Sequence, residues 1–460
     1  MKKIAGLVLY CFSLTSFSQS VTERLTKAIN GLQADSQFKH AAISLYVVDT
    51  KTGNVIFDKN ADMGLAPASC QKIITSTTAF GLLGKDYRYE TFVEYNGILK
   101  DGLLNGDIVI KGNGDPTPGS WRWNETKEQT ILKKITAAIV AKGIKKINGQ
   151  IIFSNDNWES NSTPGGWVWD DIGNYYGAGA SAINWHENQY DLILKSGNKI
   201  GNAVTIKATR PILEGVKLIS EVTAAKKGSG DNAYIYLAPQ STNGYVRGTI
   251  PVEEDNFTIS GSMPDPPKQL QYELKNTLKE SNIEIDPAVQ KTVELKNEIL
   301  LTHLSPPLDS INYWFLKKSI NLYGEALVKT MAYEKTTFGS TEKGIDVVKD
   351  FWSHHGIEQS AINIKDGSGL SPASRSTTKS LVTVLQYAKK QNWFASFYNA
   401  LPEINGIKMK DGYIADVRSY CGYIKDKNGN EYTFSFIVNN FNGSASAARE
   451  KMWQVLDILK

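Results

Sequence analysis

The stretch Leu65–Leu83, LAPASCQKIITSTTAFGLL, sets Ser69 three residues ahead of Lys72 at what reads as the start of a helix. Residues three apart on a helix share a face, so the lysine amine would lie beside the serine hydroxyl. A serine hydroxyl is a weak nucleophile that needs a neighbouring base. Lysine becomes a base only when burial or a second cation lowers its pKa. A helix N-terminus adds free backbone N–H groups and partial positive charge, both suited to a developing oxyanion. The same residues fit a plainer use, with Ser69 capping the helix and Lys72 in solvent. The pair alone leaves both open.

Working outward, VTERLTKAINGLQAD before this stretch carries Leu25, Ala28, Ile29 and Leu32 at helical spacing. AISLYVVDTKTGNVIFDKN then alternates Ile43, Leu45 and Val47, turns, and resumes with Val55 and Phe57, which predicts a hairpin. The end of the chain mirrors its beginning. VRSYCGYIKDKNGNEYTFSFIVNNF reads as two strands about an Asn428-Gly429 turn. ASAAREKMWQVLDILK closes with a helix bearing Ala448, Met452, Val455, Leu456 and Leu459 on one face. Both ends therefore predict an α+β fold, one antiparallel sheet with helices on its faces. From about Tyr87 to Gln290 short strands alternate with Gly, Asn and Pro turns, with one clear helix at KEQTILKKITAAIVAKG. That is a β-rich insertion long enough for two subdomains. GNGDPT, around Gly114 and Asp115, lacks the Lys-Ser/Thr of a phosphate loop and reads as a turn.

The 460 residues exceed one ordinary domain, and 41% hydrophobic and 21% charged residues are usual for a soluble globular protein. The formal charge of +4 includes Lys2 and Lys3 at the very start and forms no concentrated basic face, so no nucleic-acid partner is expected. MKKIAGLVLYCFSLTSFSQS has the basic start, apolar run and small residues (Ser16, Ser18) of a secretory signal, residues 1–18, with cleavage before Gln19. Its apolar run is too short to span a bilayer. Bulky Tyr10 and the apolar residues beyond it disfavour Cys11 as a lipid anchor. The mature protein is expected to be exported. It keeps two cysteines, Cys70 and Cys421, either a disulfide or, as we read them, two small buried free thiols. Five scattered histidines show no metal-ligand spacing; they leave a serine–histidine–acid triad open, but no GxSxG elbow marks a serine for it.

Two further stretches tip the balance at Ser69. FLKKSINLYGEALVKTMA holds Ser319-Ile320-Asn321, and GIKMKDGYIADVRSYCGY holds Lys410-Asp411-Gly412. In isolation Ser319 and Asn321 would read as helix-capping residues. In the order SxxK, SxN, K-x-G they resemble the motif triplet of penicillin-binding proteins and serine β-lactamases. The 250 residues from 69 to 319, with GDIVIKGNGDPT, INGQIIFSND, GGWVWDDIGNYYGAGASAINWHENQYDLIL and IKDGSGLSPASR, are similar to the penicillin-binding protein 4-type D-alanyl-D-alanine carboxypeptidase/endopeptidase family. The resemblance implies a transpeptidase-like catalytic domain of residues 19–86 and 291–460, an insertion subdomain of 87–190 and 264–290, and a nested β-rich subdomain of 191–263. It implies Ser69 as acylated nucleophile, Lys72 as its base, Ser319 as proton carrier to the leaving amine, Asn321 as holder of a substrate amide and Lys410 across the cleft. The backbone N–H groups of Ser69 and Tyr413 would form the oxyanion hole. Asp171 would face a substrate ammonium with Tyr176 in the same pocket; equally, Trp167 and Trp169 anchor the insertion and Asp171 caps a turn. No cofactor is implied. The expected partners are peptidoglycan peptides and β-lactams, and the expected location is the periplasm.

Two departures stand out. Where that family usually has Thr or Ser after the third-motif lysine, Asp411 stands here, before Gly412. An ionised Asp411 at about 4 Å would repel a substrate carboxylate by about 1–4 kcal/mol, unless it pairs with Lys410 or points away. Relatives often place an arginine directly after Ser371; here Pro372 follows, and Arg375, three residues later, is the residue expected to reach the substrate carboxylate in its stead. Three readings follow. One is a serine hydrolase of stem peptides and cross-links. The second is a cell-wall-binding scaffold whose Asp411 rejects substrate. The third is a β-lactamase or secreted esterase on the same core; the long insertion argues against a compact β-lactamase.

Overall fold

The computed structural model describes residues 19–286 and 297–460. The secretory signal, Cys11 and the expected boundary at 290/291 lie outside the described residues. Both ends of the chain build one six-stranded sheet in the order Glu403–Ile404, Ile407–Ile414, Val417–Lys425, Glu431–Asn439, Ala42–Asp49, Val55–Lys59, antiparallel throughout. The terminal helices Val21–Ala34 and Ala445–Leu456 cover one face, burying Leu25, Ile29, Met452 and Leu456 against Phe434, Phe436 and Val438. The opposite face presents Cys421, Tyr423 and Ile437 to a larger core that includes Ile73, Ile74, Phe80, Leu381 and Leu385. Successive strand residues thus serve opposite cores, which is the period of two that the sequence displayed. Ser20 and Glu23 form a reciprocal capping box at the first helix.

The insertion is β-rich. A four-stranded sheet runs Glu298–Leu304, Glu90–Tyr95, Ile108–Gly112, Ile151–Ser154, so strand pairing with the insertion continues to Leu304. Beside it lie Glu284–Asp286, Lys146–Asn148, Leu103–Asn105 and Ile98–Lys100. Residues from Tyr190 to Met263 close a separate core between two three-stranded sheets. The helix at Glu128–Ala141 forms where its spacing placed it. It is not the insertion's one helix of any length: Pro266–Glu280 is a second, of 15 residues. Its opening, SMPDPP, looks like a chain breaker. Proline is tolerated in the first turn, however, where its missing N–H has no partner to lose. Asp265 caps that turn, accepting from Lys268 N at 3.0 Å.

Phe436 is wholly buried between the sheet and the terminal helices. Phe436→Ala should destabilise the six-stranded sheet and its helices by about 3–5 kcal/mol, read as a lowered denaturant midpoint. A loss below 1 kcal/mol would show that this face does not hold the two chain ends together.

Candidate active site

Ser69 sits in a 3₁₀ turn, Ala68–Gln71, that runs directly into the helix Lys72–Leu83. Its side chain makes no capping bond. Ala68 before it holds φ +45°, in the left-handed region that a Cβ disfavours. Such a conformation persists only where surrounding contacts impose it, and these cluster at working sites. Here strand Ile407–Ile414 packs on the turn: a Cβ on Gly412 would lie 2.9 Å from Ser69 N and 2.8 Å from the Pro67 carbonyl oxygen. Only glycine lets the strand come so close. The approach brings the backbone next to Gly412, at Tyr413, beside that of Ser69.

Lys72 is fully buried, and its Nζ has three neighbours: Ser69 Oγ at 2.8 Å, Asn321 Oδ1 at 2.6 Å and the Ser368 carbonyl at 2.8 Å. Asn321 Oδ1 and the Ser368 carbonyl are acceptors only, so they take two N–H bonds. A neutral amine has two N–H bonds and one lone pair. The lone pair is therefore left for the one neighbour able to donate, the Ser69 hydroxyl. Burial, then the charge of Lys410, pull Lys72 down to about 7, against smaller raising effects of Asp366, Glu325 and Asp411.

Asn321 opens the helix Asn321–Thr336. Its Nδ2 donates to the Tyr176 carbonyl at 2.7 Å, which fixes the amide with its oxygen toward Lys72. Ser319, two residues earlier, holds φ +56° and makes no hydrogen bond to Ser69, Lys72 or Lys410 among the described residues. Asp171, on the short helix Trp169–Ile172, is hydrogen-bonded to the Tyr176 side chain. Burial raises Asp171 above the usual carboxylate range, the Tyr176 bond works against it, and neighbouring Asp170 adds to it.

Residues 25–459 match the D-Ala-D-Ala carboxypeptidase 3 (S13) family. The chain belongs to that family. It is 23% identical to the D-alanyl-D-alanine carboxypeptidase DacB of Haemophilus influenzae, over 96% of this chain and 94% of the relative. It is 25% identical to a D-alanyl-D-alanine carboxypeptidase of Actinomadura sp. strain R39, over 95% and 85%. The crystal structure of penicillin binding protein 4 from Haemophilus influenzae superposes with a TM-score of 0.78 at 19% identity, covering 95% of this chain and 99% of that one. That protein has also been solved complexed with a β-lactam.

In this S13 chain Asp411 pairs with the lysine before it. Lys410 Nζ, almost wholly buried, lies 2.9 Å from Asp411 Oδ1 and 2.6 Å from the Asp411 carbonyl. Burial alone would raise Asp411, but the charge and hydrogen bond of Lys410, with the charge of Arg418, hold it below the usual range. Arg375 turns back on its own loop, donating to the carbonyls of Pro372 and Ser374 at 2.6 and 2.8 Å. Cys70 and Cys421 are both buried free thiols, with Cys421 Sγ 4.0 Å from the Cys70 carbonyl. His354 and His355 are exposed. His186 lies between Glu273 (3.2 Å) and Glu128 (3.6 Å), all three in the insertion. Glu273 also accepts from Trp185 and Gln269.

Two carboxyl residues escaped the sequence reading. Asp366, fully buried, accepts from Gln71, Gly369 and Ser374 on one oxygen and from Trp167 and Ser371 on the other. It thereby shapes the loop whose Ser368 carbonyl receives Lys72. Glu325, raised to about 8 by burial and then by the charge of Asp366, accepts from Gly367 N in the same loop. IKDGSGLSPASR was the available signal, though nothing in its spacing says that a main-chain oxygen is the product.

An ammonium cannot take the serine proton. Acylation of Ser69 should therefore rise about tenfold per pH unit below 7 and level off above it, as measured by stopped-flow acylation across pH 5–9. A flat profile would mean that Lys72 is not the base. Gly412→Ala should abolish acylation while leaving the circular dichroism spectrum in place, because its Cβ strikes the Ser69 turn.

Proposed function

We propose that this chain is a serine D-alanyl-D-alanine carboxypeptidase/endopeptidase that cleaves peptidoglycan stem peptides and cross-links in the periplasm through an acyl-enzyme at Ser69. The observation that carries the reading is the environment of Lys72: two obligate acceptors, one hydroxyl, and a pKa of about 7. Ser69 Oγ attacks the carbonyl of the penultimate D-alanine while Lys72 takes its proton. The oxyanion forms between the backbone N–H groups of Ser69 and Tyr413. The C–N bond then breaks as Ser319 passes a proton to the departing amine, and water afterwards hydrolyses the ester. Asn321 holds a substrate amide, Lys410 lies across the cleft, and Asp171 with Tyr176 receives the ammonium of a diamino acid side chain. Among the described residues no helix is long and apolar enough to cross a membrane.

The scaffold alternative is not favoured. It required the Asp411 charge to face the substrate carboxylate unopposed, and that charge is taken up by Lys410. Turnover and capture also share one nucleophile in this reading, so β-lactams should acylate the enzyme.

Intact mass of the mature protein after incubation with benzylpenicillin should show one adduct per chain, lost in Ser69→Ala. An adduct of equal stoichiometry in the mutant would remove Ser69 from its role. Rapid drug turnover with no long-lived adduct would favour a β-lactamase.

A further inference from the structure

Lys72 is oriented by two acceptors, and both trace to one face of the helix Asn321–Thr336. Asn321 supplies the first directly, at 2.6 Å. Glu325 stands four residues further along, on the same side of that helix. It is fully buried, and its Oε2 accepts from Gly367 N at 2.9 Å, in the loop that offers the second acceptor, the Ser368 carbonyl. Three consecutive carbonyls of that loop face the nucleophile's own segment. Asp366 O takes Gln71 Nε2, Gly367 O takes Thr75 Oγ1 at 2.6 Å, and Ser368 O takes Lys72 Nζ at 2.8 Å. On the opposite side glycine meets glycine. A Cβ on Gly367 would strike the Gly324 carbonyl, and one on Gly324 would lie 2.9 Å from the Gly367 carbonyl oxygen. Residues 366–368 are thus clamped between two helices, with the N–H of Gly367 held by Glu325 and its carbonyl by Thr75.

A carboxyl is a costly group to bury for one backbone bond. Desolvation, then the charge of Asp366, push Glu325 up to about 8, against the bonds from Gly367 and Ser368 and the charge of Lys329. Near neutral pH it therefore accepts chiefly as an acid and sets little negative charge beside the amine. The other titratable groups that act on Lys72 are Lys410 and Asp411 from the strand and Asp366 from the loop. Lys329, on the same helix as Glu325, is committed to the insertion. We propose that Glu325 is a positioning residue for acylation: by holding Gly367 N it fixes the Ser368 carbonyl against Lys72, which keeps the amine's lone pair on Ser69.

The inference rests on the acyl-enzyme reading above, and its test separates the two. Stopped-flow acylation of the mature protein by benzylpenicillin, at pH values from 5 to 9, gives the initial affinity and the acylation rate constant separately. Glu325→Ala should leave the initial affinity in place and lower the rate constant about 10- to 100-fold, the scale of a misplaced catalytic group. Water admitted to the amine should also move the acid limb of the profile up by about one pH unit, because burial is what chiefly lowers Lys72. Glu325→Gln keeps a neutral acceptor for Gly367 N and should stay near the parent in both respects. Thr75→Val frees the carbonyl of the same glycine, should shift rate and limb the same way, and carries the test if the alanine variant does not fold. A rate loss with the limb in place, or one equal in the alanine and glutamine variants, would make Glu325 a packing residue and overturn the assignment while acylation at Ser69 stands. Parental kinetics in both Glu325→Ala and Thr75→Val would do the same. A parent protein that forms no adduct would overturn it together with the acyl-enzyme reading.

Discussion

The amine of Lys72 is withdrawn from water, and most of the site's construction answers that fact. Isolated in an apolar interior, an ammonium would be prohibitively costly, so a buried lysine either finds an anion or gives up its proton. Among the described residues no carboxylate hydrogen-bonds this one. Glu325 is too far toward its neutral form at pH 7 to serve, and Asp366 spends both oxygens on other donors, Gly369, Ser371 and Ser374 of its own loop with Gln71 and Trp167 from outside it. Lys410 adds repulsion. What remains are dipoles, an amide oxygen and a main-chain carbonyl, which satisfy a neutral amine as well as they satisfy an ammonium. In the mechanism proposed here, the fold supplies the base that the serine needs by refusing it a counter-ion.

That arrangement depends on close backbone approaches, and these carry local strain. Ala68 and Ser319 both hold left-handed φ values, at a cost of about 1–2 kcal/mol each. Gly412 escapes it only by lacking a side chain where the strand meets the Ser69 turn. Around them the sheet is paired along its length, and the cores on its two faces are made of residues that exclude water almost completely. A rigid surround of this kind is what lets a turn hold an unfavourable conformation in one geometry.

The outline of this architecture was legible because it depends on local patterns. Period-two alternation marked the hairpin and the last strands, and helical spacing marked Leu25 to Leu32 and Ala448 to Leu459. The three motifs fixed which chemistry-bearing residues to look for. Sequence was blind where the effect comes from distant main chain. Tyr176 entered as a candidate side chain, yet its carbonyl is what orients Asn321. Asp366 acts on Lys72 only through the carbonyl of Ser368, and no residue spacing encodes that. The sign of Asp411 was plain from its letter, but its meaning turned on whether Lys410 reaches it. Arg375, expected near a carboxylate, is held by its own loop. The helix at Pro266–Glu280 was hidden because prolines that stop a helix from within are harmless at its first turn.

The insertion is not an accessory hung on a self-sufficient catalytic domain. Along the helix Asn321–Thr336, three side chains reach out of the catalytic domain's core and end on the insertion. Asn321 donates to the Tyr176 carbonyl, Tyr323 to Glu187 at 2.8 Å, and Lys329 to the carbonyls of Asn161 and Ala180, both at 2.8 Å, with Glu159 at 3.0 Å. The Lys329 side chain is wholly buried, and every one of these partners belongs to the insertion. Stripped of them, its ammonium would be a buried charge without compensation, a loss of about 3–5 kcal/mol where such pairs are broken. Trp167, also from the insertion, closes the loop around Asp366 from the other side. The residues between the first motif and the second therefore complete the hydrogen bonding of the second, whose Asn321 in turn meets Lys72 of the first, and the segment that separates Ser69 from Asn321 in sequence helps hold them together in space.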